Sequence, residues 1–600
     1  MGQDKKIKKR REILGQYKWH IEEMYASETL WEDDFLKVKT AAELFTGFSG
    51  HLADSSSKLY EALHEKDEIF RLCEKIYVYA RMKKDEDNRV DLYQSMCDRA
   101  QGLIAETSAF LSFFVPELLE MQEDVLKRFM SENEGIKVYS HLINDLIRQK
   151  DHVLSKNEEN IMAQISELTS ATNSIFSMIN NADIKFGSII DEDGDEVELT
   201  HGRYIGFMES DNREVRKAAF SKMYGAFERQ KNTLATTYNY NTKTDVVMAR
   251  IRKYESSIQA SLDGDCIPLT VYDNLVSTVN GRLDLLHRYV EVRRHLLKID
   301  DVHMYDMYTP LVPSSNKKVD YKSALDIIRR GLAPLGEAYI DQMNKGLTSG
   351  WIDVYENEGK TSGAYSFGSY DSLPYILLNY NNKLKDVFTV AHEMGHSMHS
   401  FYTRSNQPYV YGGHSIFTAE VASTVNEVLL MQHLLANAKN KEEKLYLLNL
   451  YIEEFRTTLF RQTMFAEFEK LTHEEISKGG VLTQDWLCER YSALNRKYFG
   501  DKVIYGPEIS MEWARIPHFY NAFYVYKYAT GYSAAVALSD KILNEGSAAR
   551  DNYIEFLKSG DSDYPVELLK KAGVDMMGPE AIMKALDTFE NLIVEIEKIV

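Results

Sequence analysis

Apolar positions recur at spacings of three and four through most of the chain, as in Ile69, Leu72, Ile76, Val78 and Tyr79. That is the period of a helix with one buried face. Residues 17 to about 180 read this way, with Pro116 marking a helix boundary and Val153 to Asn180 forming one long helical pattern free of Pro and Gly. The texture changes at Asp183–Ile190, where a short apolar run leads into the acidic stretch Asp191–Asp195 and then Val197-Glu198-Leu199. This predicts a β-hairpin turning at Asp193-Gly194. The acidic run lacks the ligand register of an EF-hand, so calcium is not expected there. Asp211-Asn212-Arg213-Glu214 has the form of a capping box, and helix resumes to about residue 300. The stretch 301–320, with Pro310 and Pro313, is irregular; Tyr321 to Met343 returns to helix. Gly359, Gly363 and Gly368 then punctuate a segment ending in Pro374-Tyr375-Ile376-Leu377-Leu378-Asn379-Tyr380, which reads as a strand. The expected fold class is mainly α, in several lobes, with a small β-sheet near residue 380.

Six hundred residues exceed one ordinary core. The net charge of −20 argues against nucleic acid and anionic lipid as partners. Cys73, Cys97, Cys266 and Cys488 form no Cys-x-x-Cys pair, which predicts reduced thiols, a cytoplasmic setting and no cysteine zinc ribbon. The basic residues Lys5, Lys6, Lys8, Lys9, Arg10 and Arg11 are followed by polar sequence, so no secretory signal is expected. Gly2 is present, but Lys6 breaks the myristoylation pattern. No run of 18 apolar residues occurs, so no membrane span is expected.

The chemistry concentrates in Val390-Ala391-His392-Glu393-Met394-Gly395-His396-Ser397-Met398-His399. In a helix, His392 and His396 lie one turn apart on one face, where two imidazoles can grip a single Zn²⁺. Glu393 beside them can take the proton of an attacking water. After an irregular segment, Asn406 to Ser415, helix resumes at Ala419-Glu420-Val421-Ala422-Ser423-Thr424-Val425-Asn426-Glu427. Two helices joined by that loop would return Glu420 to the metal, giving a His₂Glu set with the fourth position open. Glu427 shares the face of Glu420 and either orients a ligand histidine or is a surface carboxylate; His399 is placed with it as a supporting group rather than a ligand. The Leu377-Leu378-Asn379-Tyr380 strand, just before the metal helix, is either a place for an extended peptide to pair by edge addition or an ordinary sheet strand, and Tyr365 is also assigned to peptide binding. Further on, Arg515-Ile516-Pro517-His518-Phe519-Tyr520-Asn521-Ala522-Phe523-Tyr524 suggests a helix starting at Pro517, with Tyr520, Tyr524 and Tyr528 on one face. On pattern alone such a stripe is core packing.

These pieces together resemble oligoendopeptidase F, of the thimet oligopeptidase (M3) family of zinc peptidases. The resemblance rests on His392–His399, Ala419–Thr424 and Ile516–Tyr520, with Gly363–Ser366 and Leu377–Tyr380, and is strong over about 205–585. It implies a helical shell around a deep channel with one zinc at its floor, and internal cleavage of short unfolded peptides. It divides the chain into an N-terminal helical region (1–115), an oligopeptidase-type helical domain ending in the hairpin (116–200) and a catalytic domain (201–600). It also implies that His518 and neighbouring tyrosines contact the substrate; Tyr524, then Tyr520, then Tyr528 are the candidates. Thimet-type members carry a Gly-rich loop where this chain has Phe519-Tyr520-Asn521-Ala522-Phe523. The competing readings are a helical zinc carboxypeptidase and a peptide-binding protein without turnover. Neither the oligomeric state nor the preferred residues around the cut follow from the sequence.

Overall fold

The computed structural model describes residues 6–312 and 318–600. Gly2, Lys5 and Pro313 therefore lie outside the described residues. The structure is mainly helical, as the three-and-four spacing predicts, and it divides into two compact units. One comprises Met1–Asp151, Asn316–His433 and Leu538–Gly573; the other comprises His152–Ser315, Leu434–Ala537 and Val574–Val600.

In the first unit the 31-residue helix Ser56–Glu86 is capped by Ser55, whose hydroxyl accepts from the Lys58 amide. It packs on Glu28–Phe45 and Asp91–Phe110 around Trp31, Ile69, Ile76 and Leu103. The stretch Asp91–Glu120, though it holds no run of 18 apolar residues, is by length and composition alone apolar enough to cross a membrane. It is instead broken at Leu111–Phe113, and one face, with Met96, Cys97, Ala100 and Leu103, is buried in this core. Pro116 thus sits inside Phe114–Glu120 rather than at the boundary. A three-stranded sheet lies beside this core, in the order Ile352–Asp353, Tyr375–Leu377, Tyr365–Phe367. The first pairing is parallel, Ile352 opposite Ile376, and the second antiparallel, Tyr365 opposite Leu377.

In the second unit the hairpin forms as predicted, Ser188–Ile190 against Glu196–Glu198, with Gly194 at φ 86° in the turn. Three sequence expectations are corrected. Val153 to Asn180 is two helices, Lys156–Thr169 and Ala171–Met178. The Ser166 and Thr169 hydroxyls bond carbonyls one turn back and compete with the helical ladder at the break. The helix Arg213–Arg229 is capped by Asn212 rather than Asp211, its Oδ1 accepting from the Glu214 amide at 3.0 Å. In the first unit, the Tyr321–Met343 pattern is Tyr321–Gly331 and Glu337–Thr348, because Pro334 breaks the ladder and Gly336 turns at φ 88°.

Candidate active site

His392 and His396 lie on the helix Leu384–Asn406. Its start is fixed by the Asp386 carboxylate, which accepts from the amides of Asn381 at 2.8 Å and Lys383 at 2.9 Å. Its end precedes Gln407-Pro408, where the residue before proline is driven out of the helical region. Val387, Val390, Ala391, Met394 and Met398 bury one face, leaving both imidazoles half-buried on the other. Glu420 comes from Ile416–Ala436. The two helices touch at Gly395, where a Cβ would meet Ser423 Cα at 2.6 Å and the Ala422 carbonyl at 2.7 Å. Both neighbours are backbone, so only glycine fits. The crossing is tied by the Asn426 amide to the Ala391 carbonyl at 3.0 Å, and Asn426 in turn accepts from the Tyr339 hydroxyl at 3.1 Å. Gly395→Ala should therefore force the helices apart, at a cost of about 1–3 kcal/mol for overpacking. Thermal unfolding and metal content should both fall together in that variant.

The crossing brings one Glu420 oxygen to 3.5 Å from His392 Nε2 and 3.6 Å from His396 Nε2. Ligands about 2.05 Å from a tetrahedral ion stand about 3.3 Å apart, so this donor set fits a zinc-sized cation. One ligand atom from each of the three residues lies within 4.8 Å of the others. Glu427 Oε2 stands 3.3 Å from His392 Nδ1, leaving Nε2 of that ring to face Glu420. Burial opposes the charged His392 ring, but Glu427, with Glu393 and Glu420, outweighs it and lifts the ring up to about 9. Burial and charged His392 hold His396 below its ordinary range. The pair therefore carries its proton on His392, and a cation would have to displace it. Burial pushes the Glu393 carboxyl up to about 7, opposed by His392 and by the Ser366 amide, and reinforced by Glu420. The Ser366 and Ser397 hydroxyls, 2.8 Å apart, join the edge strand to the metal helix.

Other predicted residues stand differently. His399 is fully buried; its ring stacks on His414, centroids 4.1 Å apart, and its Nδ1 has no hydrogen-bond partner. It supports the helix by packing. The peptide-binding strand is corrected. Tyr375–Leu377 is the central strand, paired on both sides, and Leu377, Leu378 and Tyr380 are buried. The amides of Leu378 and Tyr380 already donate to the carbonyls of Asp353 and Val354. Asn379 spends its amide group on the carbonyls of Thr361 and Gly363. Pairing a further peptide there would break bonds already made; the edges of the sheet are Ile352–Asp353 and Tyr365–Phe367. Tyr365 donates its hydroxyl to Asp85 at 2.7 Å.

In the second unit, Pro517 starts a short 3₁₀ turn, Pro517–Tyr520, not the predicted helix. The chain reverses at Asn521–Val525, and helix begins only at Tyr526. Tyr520 is therefore swung out of the expected stripe and stacks on Phe176, centroids 4.3 Å apart. His518, Tyr524 and Tyr528 form a trio, with centroids 6.2 Å, 5.9 Å and 5.4 Å apart. Partial burial and Arg461 lower the His518 pKa, so its ring is neutral near pH 7 and keeps one N–H to donate. Sequence reading missed Gly395 as the contact point of the helices, although it stands inside the motif itself. It also missed His414, which lies in a loop without periodicity.

The sequence profile of peptidase family M3 matches residues 206–588, and that of oligopeptidase F matches residues 117–186. Oligopeptidase PepF of Bacillus subtilis is 48% identical over 602 residues, covering 100% of this chain and 90% of that protein. Among solved structures, a Chlamydophila abortus protein superposes with a TM-score of 0.93 at 36% identity, covering 99% of this chain and 100% of the other. The oligoendopeptidase-F of Enterococcus faecium superposes with a TM-score of 0.76 at 37% identity, covering 95% of this chain and 99% of the other.

Proposed function

This chain belongs to peptidase family M3 and is a metalloendopeptidase acting on peptides, and from that premise we propose a zinc-dependent oligoendopeptidase whose ligands are His392, His396 and Glu420. The observation that carries the ligand assignment is the crossing at Gly395, which places one carboxylate oxygen against both imidazoles at tetrahedral spacing. Bound zinc supplies a Lewis acid and lowers the pKa of water near it.

The chain's own residues do the rest. Glu393, buried beside the ligands, accepts the proton of the attacking water and returns it to the leaving amine. Glu427 holds the His392 ring with Nε2 facing Glu420, where it would ligate a bound zinc. His518 and Tyr524 are assigned as donors to the oxyanion of the tetrahedral intermediate, an assignment that rests on the resemblance of Ile516–Tyr520. Tyr528, edge-on to both rings, holds them in place, and Tyr520 is a packing residue. Backbone pairing with an extended peptide falls to the edge strand nearer the metal helix, Tyr365–Phe367, whose Ser366 hydroxyl reaches Ser397 on that helix. Such pairing reads no side chains, so sequence preference should be broad. Cys73, Cys97 and Cys488 are free thiols, which supports a cytoplasmic setting.

Mass analysis of the products from a ten-residue peptide tests this reading. We expect internal cuts, abolished by a chelator and restored by zinc. Release of single residues from the carboxyl end would instead mean an exopeptidase, and binding without products a non-catalytic protein.

A further inference from the structure

Glu469 lies on the helix Arg461–Ser477 and is fully buried. A carboxyl group is a costly choice for such a position, where an apolar side chain would pack without penalty. Among the described residues no cation offsets the cost. Burial and Asp245 push its carboxyl well above the ordinary carboxylate range. Oε2 has no hydrogen-bond partner, while Oε1 accepts from the backbone amide of Phe523 at 3.0 Å. That one bond is what the polar group supplies.

Phe523 is the unusual partner. It is a bulky residue at φ 57°, in the left-handed region that favours glycine. Such a conformation persists only where the surroundings over-determine it. Here the Phe523 ring is buried against His473, with centroids 4.4 Å apart. The neighbouring Ala522 carbonyl accepts from the Ser261 hydroxyl at 3.0 Å, and the Phe523 amide is held by Glu469. The left-handed turn lies in the reversal between the 3₁₀ segment and the helix that begins at Tyr526, and Tyr524 beside it lies parallel to His518, centroids 6.2 Å apart at an interplanar angle of 17°.

We infer that Glu469 is a positioning residue for the reaction: its side-chain oxygen on the Phe523 amide locks the reversal that presents His518 and Tyr524 together. The inference rests on the reading of those two residues as oxyanion donors. Glu469 touches neither ring and acts only through the backbone between them.

The zinc-loaded full chain and a quenched oligopeptide substrate test it. Glu469→Leu should lower kcat by about 10²-fold, the cost of misplacing a donor by about an ångström, with KM changed less than about twofold. Glu469→Gln keeps an oxygen on the Phe523 amide and should return kcat to within about threefold of the parent. Ser261→Ala changes an exposed hydroxyl, should fold normally, and should lower kcat by about threefold through the same loop. Tyr524→Phe is measured alongside. Parental kcat in Glu469→Leu, or in Ser261→Ala where Glu469→Leu does not fold, overturns the inference. So does a Glu469→Gln variant as impaired as Glu469→Leu. With Tyr524→Phe impaired, those results remove only the positioning role. A fully active Tyr524→Phe removes the donor reading, and the inference falls with it.

Discussion

Glu393→Gln should keep its metal and lose kcat by about 10²–10⁴-fold. The amide has the size of the carboxyl and fits the same buried site on the metal helix, so the helix crossing and the ligand set stay as they are. What it lacks is a site that can accept a proton from water and hand it on. The loss should fall on kcat and kcat/KM together, because the transfer belongs to the transition state and not to substrate binding. Elemental analysis and steady-state kinetics on the same preparation decide the matter. A variant with one metal per chain and near-parental kcat would show that another group is the base.

Glu420→Ala should lose most of its bound metal. Two imidazoles from one helix remain, but the carboxylate that closes the triangle at 3.5 Å and 3.6 Å is gone, and with it the negative charge among the ligands. Removing a group that merely orients a ligand weakens metal binding by about 10–100-fold. Removing a ligand should exceed that. Glu427→Gln supplies the internal comparison: it disturbs the contact to His392 Nδ1 and should fall within the smaller range. Titration of both apo-variants with zinc, read by competition with a chelating dye, orders the two effects. Equal weakening, or full retention in Glu420→Ala, would remove Glu420 from the ligand set.

The core of this site was legible because it is local. His392 and His396 share a face by the turn of a helix alone, and Glu427 follows Glu420 onto its face by the same rule. The hairpin at Asp193-Gly194 was legible for a similar reason, since a two-residue turn and its flanking strands are written in adjacent positions. The mainly helical class followed from periodicity summed over hundreds of residues.

What tertiary structure decided lies in contacts between distant segments. The strand Tyr375–Leu377 has the composition of an edge or a centre alike; the two-residue partner Ile352–Asp353, too short to show any period, makes it central and closes it to a peptide. The approach of Glu420 to both histidines depends on a glycine whose missing Cβ faces the backbone of Ser423, a contact no spacing rule encodes. The tyrosine stripe is interrupted where Phe523 turns left-handed, against its own preference, its amide donating to a carboxyl 54 residues earlier. Periodicity fixes which residues share a face of one element. Which face meets which, and where a chain reverses against its propensity, is set by packing that only the folded molecule brings together.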